Sequence, residues 1–229
     1  MPEKSPYSCI INGKHANISD YPFYVYIDTD RCYCGGALLS RNVVLTAAHC
    51  VSKSSISKIK VIPGLRKRKQ SKRTVYRPKE VIIHPKYCID DCYDIALLIL
   101  NSNVKPCGCI DIIDISSCKP CVGDVVTVVG YGYTKLLRDK YGCCLPTPSK
   151  YLRSSRRKIM CFEGPIMNTY SNNSRTCLGD SGSPVIYNGE LVGIHVSGEY
   201  YCGRTSYHIT LAHPKIYSFL VDNLPFLDQ

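Results

Sequence analysis

Apolar residues in this chain gather in short runs broken by glycine, proline and asparagine. Phe23 to Ile27, Val43 to Thr46, Lys58 to Ile62, Val81 to Ile83, Ile95 to Leu100, Val125 to Val129, Pro184 to Tyr187 and Leu191 to Val196 are rich in β-branched and aromatic side chains. Each run is the length of an ordinary strand, and their number and spacing predict an all-β barrel or sandwich. Helical periodicity is convincing only near the end. Pro214 suits a first helical position, Ile216, Phe219 and Leu220 share a face, and Asn223 and Pro225 close the pattern. No repeat, low-complexity linker or sharp boundary interrupts the chain, although a gentle division falls near Cys107 to Cys121.

The 229 residues suffice for one large β domain or two small lobes with a proper core, so disulfides are not needed merely to fold. Yet there are 15 cysteines, a density usual in oxidising compartments. The odd count leaves at least one thiol free, joined to another chain, or left over from a lost bridge. Extracellular localisation is therefore expected, although Met1 to Ser8 show no apolar core of signal-peptide length. The longest apolar stretches, Ile95 to Leu100 and Val125 to Val129, are strand-sized, so no membrane span is expected and the protein reads as soluble. Much of the net charge of +11 lies in Arg66 to Arg73 and around Arg153 to Lys158. These read as solvated loops. The first run has no interleaved aromatics for base stacking, so no specific nucleic-acid partner is expected.

Three motifs carry chemistry: Thr46-Ala47-Ala48-His49-Cys50, Tyr93-Asp94-Ile95-Ala96-Leu97-Leu98 and Gly179-Asp180-Ser181-Gly182-Ser183-Pro184. Each alone has a plain structural explanation: a packed histidine, a turn carboxylate, a glycine-rich turn. Together they supply a hydroxyl, an imidazole and a carboxylate. A serine hydroxyl is a poor nucleophile until a base takes its proton, and imidazole suits that exchange. In these motifs, and in the order His, Asp, Ser, the chain resembles the trypsin/chymotrypsin-like serine proteases from about Ile10 to Leu220.

The resemblance implies two packed antiparallel six-stranded β-barrels with a short C-terminal helix. The first barrel would cover about 10–113 and the second about 114–229, behind a propeptide at 1–9. It implies that Ser181 is the nucleophile of a serine endopeptidase, His49 its base and then its acid, and Asp94 the residue orienting His49. The backbone N–H groups of Gly179 and Ser181 would form the oxyanion hole. Ile10-Ile11-Asn12-Gly13 resembles the family's mature N-terminus, whose amino group would pair with Asp180. Cys9 stands before the cut where the family usually has arginine or lysine.

Arg175 takes the position at the base of the family's primary specificity pocket, where trypsin-like enzymes have aspartate. A guanidinium there repels basic side chains and attracts carboxylates, so cleavage after Asp or Glu is expected. Two alternatives stay open: Arg175 pointing to solvent, or Glu199 neutralising it. Gly198 is favoured as the pocket's rim glycine over the preceding aromatic position, with Ser206 and His208 on the far wall. An inward His208 would help bind a carboxylate, and a packed histidine is the plainer alternative.

The family's bridges suggest Cys34 with Cys50 and Cys177 with Cys202. Another common bridge would need cysteines where Val126 and Tyr187 stand, so both halves are absent together. Cys161 matches a family bridge cysteine, with Cys143 or Cys144 as partner, and a local Cys88–Cys92 bridge would shape the cleft rim. Cys107-Gly108-Cys109, Cys118-Lys119-Pro120-Cys121 and Cys143-Cys144 read either as zinc ligands or as oxidised pairs; oxidised pairing explains the count, and no metal is expected. The loop matching the family's calcium site holds Arg66 to Arg73, so no calcium and no cofactor is expected. Asn17-Ile18-Ser19 and Asn172-Asn173-Ser174 are glycosylation sequons. Expected partners are polypeptide substrates, acidic at the cleavage site, and protease inhibitors; a monomer is expected. Two competing readings are a noncatalytic binding or decoy member of the fold, and a basic surface binder acting through Arg66 to Arg73.

Overall fold

The computed structural model describes residues 9–87, 93–138, 144–199 and 203–224, with the side chains of 9, 11 and 134–147 excepted. A single helical turn, α1 (Cys9–Asn12), and a two-residue strand, β1 (Lys14–His15), open the described chain. The first lobe is an antiparallel sheet of β2 (Tyr24–Asp28), β3 (Tyr33–Ser40), β4 (Val43–Thr46), β5 (Lys60–Pro63), β6 (Pro78–Ile83) and β7 (Ala96–Leu100). Its order is β5-β2-β3-β4-β7-β6. The second lobe uses β8 (Val125–Gly130), β11 (Arg153–Glu163), β12 (Ile166–Tyr170), β13 (Pro184–Tyr187), β14 (Glu190–Gly198) and β15 (Thr205–Thr210). The order there is β1-β11-β12-β15-β14-β13-β8, and β8 also pairs with β11, which closes six strands into a barrel. A separate hairpin joins β9 (Tyr133–Arg138) to β10 (Cys144–Pro148).

The two expected six-stranded lobes are present, one as a closed barrel and the other open along one edge. Between the edge strands β5 and β6 the first lobe has no ladder; the chain makes only the isolated bridge Val61–Tyr76. Proline ends β5 at Pro63 and begins β6 at Pro78, and neither supplies the N–H that a continuing ladder requires. The lobe is therefore a half-barrel.

Apolar burial explains most strands. Ile27, Leu45, Ile62 and Leu97 are fully buried in the large core, each side chain stabilising by about 1.5–3 kcal/mol. A second cluster of Val126, Val128, Ile159, Met167, Val185 and Val192 lines the closed barrel. β11 follows a period of two with an unusual inward set, because Ser155 and Arg157 are buried beside Ile159 while Arg156, Lys158 and Met160 face out. The final helix, α2 (Pro214–Asn223), buries Ile216, Phe219 and Leu220 with Pro214 at its start, as its periodicity predicts. His84 packs on Phe219 with ring centroids 5.0 Å apart and on Tyr93 at 4.8 Å. The helix thereby supports the segment that carries Asp94.

Candidate active site

β4 and β7 are ladder neighbours, with Thr46 opposite Ala96, so the residues just past one strand meet those just before the other. His49 sits on the short turn Ala48–Cys50 after β4, and Asp94 precedes β7, next to Tyr93 at φ 56°. His49 Nδ1 lies 2.5 Å from Asp94 Oδ2, and the His49 backbone N–H donates to Asp94 Oδ1 at 2.9 Å. Asp94 is buried, whereas the imidazole is 36% exposed. The acceptor on Nδ1 puts the ring proton there and leaves the Nε2 lone pair available. A Cys34–Cys50 disulfide ties this turn to β3.

Ser181 lies on the loop before β13, where the two lobes join. Its carbonyl accepts from Gly35 N–H at 2.8 Å, Gly182 N–H donates to His195 O at 2.7 Å, and Thr46 Oγ1 donates to Gly35 O at 2.8 Å. Gly182 has φ +74°, and a Cβ there would lie 2.3 Å from Thr46 Oγ1 and 2.4 Å from Gly35 O. Ser181 Oγ donates to Val196 O at 3.5 Å and makes no hydrogen bond to His49. His49 and Asp94 are thus in contact, with the serine hydroxyl turned aside. Among the described residues the N–H groups of Gly179 and Ser181 have no acceptor. Gly179, at φ +90°, passes beneath Tyr33, so a Cβ there would lie 2.3 Å from Tyr33 Cε2.

Asp180 is fully buried. Its Oδ1 accepts from Gly132 N–H and its Oδ2 from Cys177 N–H, each at 2.9 Å. Burial pushes its carboxyl up to about 7, against the lowering effect of those two N–H groups and of Arg157. Ile10 is buried within the α1 turn, joined by its peptide bond to Cys9, and is not paired with Asp180.

Of the expected pocket residues, Gly198 lies opposite Ser206 in the β14–β15 ladder, and a Cβ on it would be 3.3 Å from Thr176 Oγ1. Thr176 Oγ1 and Ser206 Oγ are 2.5 Å apart. His208 is fully buried, with Nε2 2.7 Å from Thr169 Oγ1 and Nδ1 3.3 Å from His195 Nδ1. Arg175 is half-buried and has no hydrogen-bond partner among the described residues. Glu199 does not neutralise it: Glu199 Oε2 instead accepts from Thr205 N–H at 3.4 Å.

Arg157, Thr169, Thr176 and His195 are buried near these residues and stand in no distinctive local motif. The alternation of β11 was the available signal for Arg157. Burial, with the fields of Arg157 and His49, lowers His195 to about 3, and burial with His195 and Arg157 holds His208 well below the usual imidazole range. Burial lowers Arg157 only to about 10, so it stays charged at neutral pH.

Cys177 is disulfide-bonded, while Cys88, Cys92, Cys143 and Cys202 lie outside the described residues. Cys161 is a correction: it is a free thiol, not a bridge half. It sits at the register shift between β11 and β12, where Asn168 Nδ2 donates to its sulfur at 3.1 Å. Cys107, Cys109, Cys118 and Cys121 are also free, against the expectation of oxidised pairing, with Cys107 and Cys109 sulfurs 3.4 Å apart. No described helix is long and apolar enough to cross a membrane.

The chain is similar to known proteins over nearly its whole length. The chain is 28% identical over 231 residues to the snake venom serine protease pallase of Gloydius halys, covering 92% of this chain and 93% of that one. It is also 28% identical to the thrombin-like enzyme agkihpin-1 of the same snake, covering 92% of each. Among solved structures, a scabies mite inactivated protease paralogue superposes with TM-score 0.81 at 21% identity, covering 93% of this chain and 96% of that one. Mouse neuropsin, a serine protease, superposes with TM-score 0.79 at 21% identity, covering 93% and 98%. The Trypsin family model matches residues 10–219, and the chain accordingly belongs to the trypsin family of serine-type endopeptidases.

Proposed function

We propose that this chain is a secreted endopeptidase that cleaves peptide bonds through His49, Asp94 and Ser181 by way of an acyl-enzyme. The observation that carries this is the His49–Asp94 pair at 2.5 Å, beside a loop that offers the serine together with two backbone donors that have no acceptor among the described residues. Rotation of Ser181 Oγ from Val196 O toward His49 Nε2 gives the attacking hydroxyl its base. The oxyanion that forms accepts from Gly179 and Ser181 N–H, and the proton then passes from His49 to the leaving amine. Asp94 holds the ring in the needed tautomer and stabilises the imidazolium. Peptide turnover that disappears in Ser181→Ala supports this reading; turnover that survives rejects it. Acidic residues are the proposed cleavage-site preference, since Arg175 excludes the aspartate-based recognition of lysine and arginine.

Residues 1–9 act as a propeptide in this scheme. Cleavage after Cys9 frees the Ile10 amino group, and its ammonium pairs with the buried Asp180, which has no ion pair among the described residues and only the field of Arg157 to favour its charge. The sign of the pH effect follows. The folded Asp180 carboxyl titrates at about 7, above its ordinary 3.8, so between those values the native state holds a proton that the unfolded chain has lost. Relative to Asp180→Asn, the uncleaved chain should lose stability as pH rises from about 4 to about 7. The cleaved chain should not, because its ammonium favours the carboxylate. Thermal melts of both forms at intervals across that window check this, and parallel profiles for the two forms would contradict it.

A further inference from the structure

β11 leaves a gap along one edge. On one side Arg153 to Lys158 all pair with β8, but on the other β1 covers only Arg153 and Ser154, and the pairing with β12 begins at Lys158. Residues 155–157 therefore have a ladder partner on one side alone. The gap and the loop Ser171 to Ser174 line a pocket of about 480 Å³, the size of a small-molecule site rather than the seat of a single ion.

The charge around this pocket is of one sign. Lys14 stands opposite Ser154 in the ladder, so it shares the outward face of β11 with Arg156 and Lys158, successive positions along that face being about 7 Å apart. All three cations are exposed, none has an ion pair among the described residues, and no carboxylate lines the pocket. Arg157 lies at the floor with its guanidinium donors spent on Thr169, Ser155, Ser174 and Arg204, so it adds field but no further bond. An anion between these groups offsets their mutual repulsion, and Arg and Lys are the side chains suited to sulfate and phosphate.

The floor is also short of an acceptor. Ser155, Ser171 and Ser174 are only 2%, 8% and 5% exposed. Ser155 Oγ and Ser174 Oγ lie 2.6 Å apart, and Ser174 Oγ and Ser171 Oγ 3.0 Å apart. Ser155 Oγ already accepts from Arg157 Nη1, and Ser171 Oγ from Ser174 N–H at 3.3 Å. Three hydroxyl protons thus share two contacts, and one is left without an acceptor among the described residues. A buried donor in that condition is costly, and an oxyanion supplies what it lacks. Val125 and Tyr170 give the pocket a less polar wall. Asn172 Oδ1 accepts from Tyr170 Oη at 2.9 Å, which leaves the amide NH₂ to donate to a ligand.

We propose that this pocket binds a sugar carrying a sulfate or phosphate monoester. The ester group sits among Lys14, Arg156, Lys158 and the buried hydroxyls, the ring rests against Val125 and Tyr170, and the Asn172 amide meets the ring hydroxyls. The site shares no residue with the triad and stands whether or not the triad turns over peptides.

The test is calorimetric titration at fixed low ionic strength with glucose 6-sulfate, glucose 6-phosphate, glucose, inorganic sulfate and inorganic phosphate. The protein comes from a host that adds no N-glycan, because Asn172 opens a sequon at this pocket. We expect one site per chain, at least one ester binding tenfold or more above both inorganic ions, and no binding of glucose; the tighter ester identifies the source as sulfated or phosphorylated. Arg156→Ala with Lys158→Ala should weaken the ester at least tenfold, and Ser171→Ala about tenfold. Lys67→Ala with Lys69→Ala removes the same net charge elsewhere and should change affinity less than twofold. If Ser171→Ala does not fold, the two surface pairs still decide. Absence of ester binding overturns the proposal, as do inorganic ions that bind as tightly as the esters, or equal losses in the two double variants, which would mark diffuse attraction to a basic surface.

Discussion

Asp94→Asn is expected to lower kcat by about 10⁴-fold with KM little changed. The reason is local. Asp94 is buried and accepts two N–H bonds from one residue, the ring Nδ1–H and the backbone N–H of His49. An amide has one oxygen for these two donors. If it serves the backbone, its NH₂ faces Nδ1 and forces the proton onto Nε2, so the base can no longer accept from Ser181. Folding should survive, because the amide fills the same space beside the Cys34–Cys50 disulfide. Steady-state kinetics of the chain beginning at Ile10 measure the effect. A loss smaller than about tenfold would mean that His49 does not depend on Asp94 for its tautomer.

Gly182→Ala should be the most damaging single methyl group added to the site. Its φ of +74° is strained for any side chain, and the new Cβ would meet Thr46 Oγ1 at 2.3 Å and the Gly35 carbonyl at 2.4 Å. The second atom is backbone in a central strand and cannot swing away. Positive-φ strain and overpacking each cost about 1–3 kcal/mol, so a loss of about 3 kcal/mol or more is expected in urea unfolding. Turnover should fall with it. Thr46, Gly35 and Gly182 form the joint that sets the Ser181 loop against the first lobe, and forcing them apart moves the serine from the histidine. A stable variant with full turnover would show that the joint does not position Ser181.

The strands that were legible in the sequence are those with apolar, β-branched runs, such as β4, β7, β8 and β13. Others were hidden by their own function or packing. β3 carries Gly35 and Gly36 because side chains there would strike Ser183 and Val44, and glycine pairs do not look like a strand. β11 reads as a basic surface run until its alternation is followed inward to Ser155 and Arg157. The half-barrel was beyond reach because closure depends on whether two distant edges meet, which no local pattern reports. Within the site, His49, Asp94 and Ser181 stand in distinctive local motifs, and the ladder brings the first two together. The pocket was harder. Thr169, His195, His208 and Arg157 form a buried cluster drawn from four strands, and only pairing register reveals that His195 faces His208. Arg175, singled out by its distance from Ser181, is half-buried and has no side-chain hydrogen bond among the described residues, while the deeply buried charge lies in β11.

The most direct check is the intact mass of the natively exported protein after fluorophosphonate treatment, with N-terminal sequencing and Ser181→Ala as control. One adduct on Ser181 in a chain beginning at Ile10, absent from the alanine variant, is the expected result. A folded chain beginning at Ile10 that takes no adduct would contradict the triad as a working nucleophile system, and would mark the protein as a binding member of its fold.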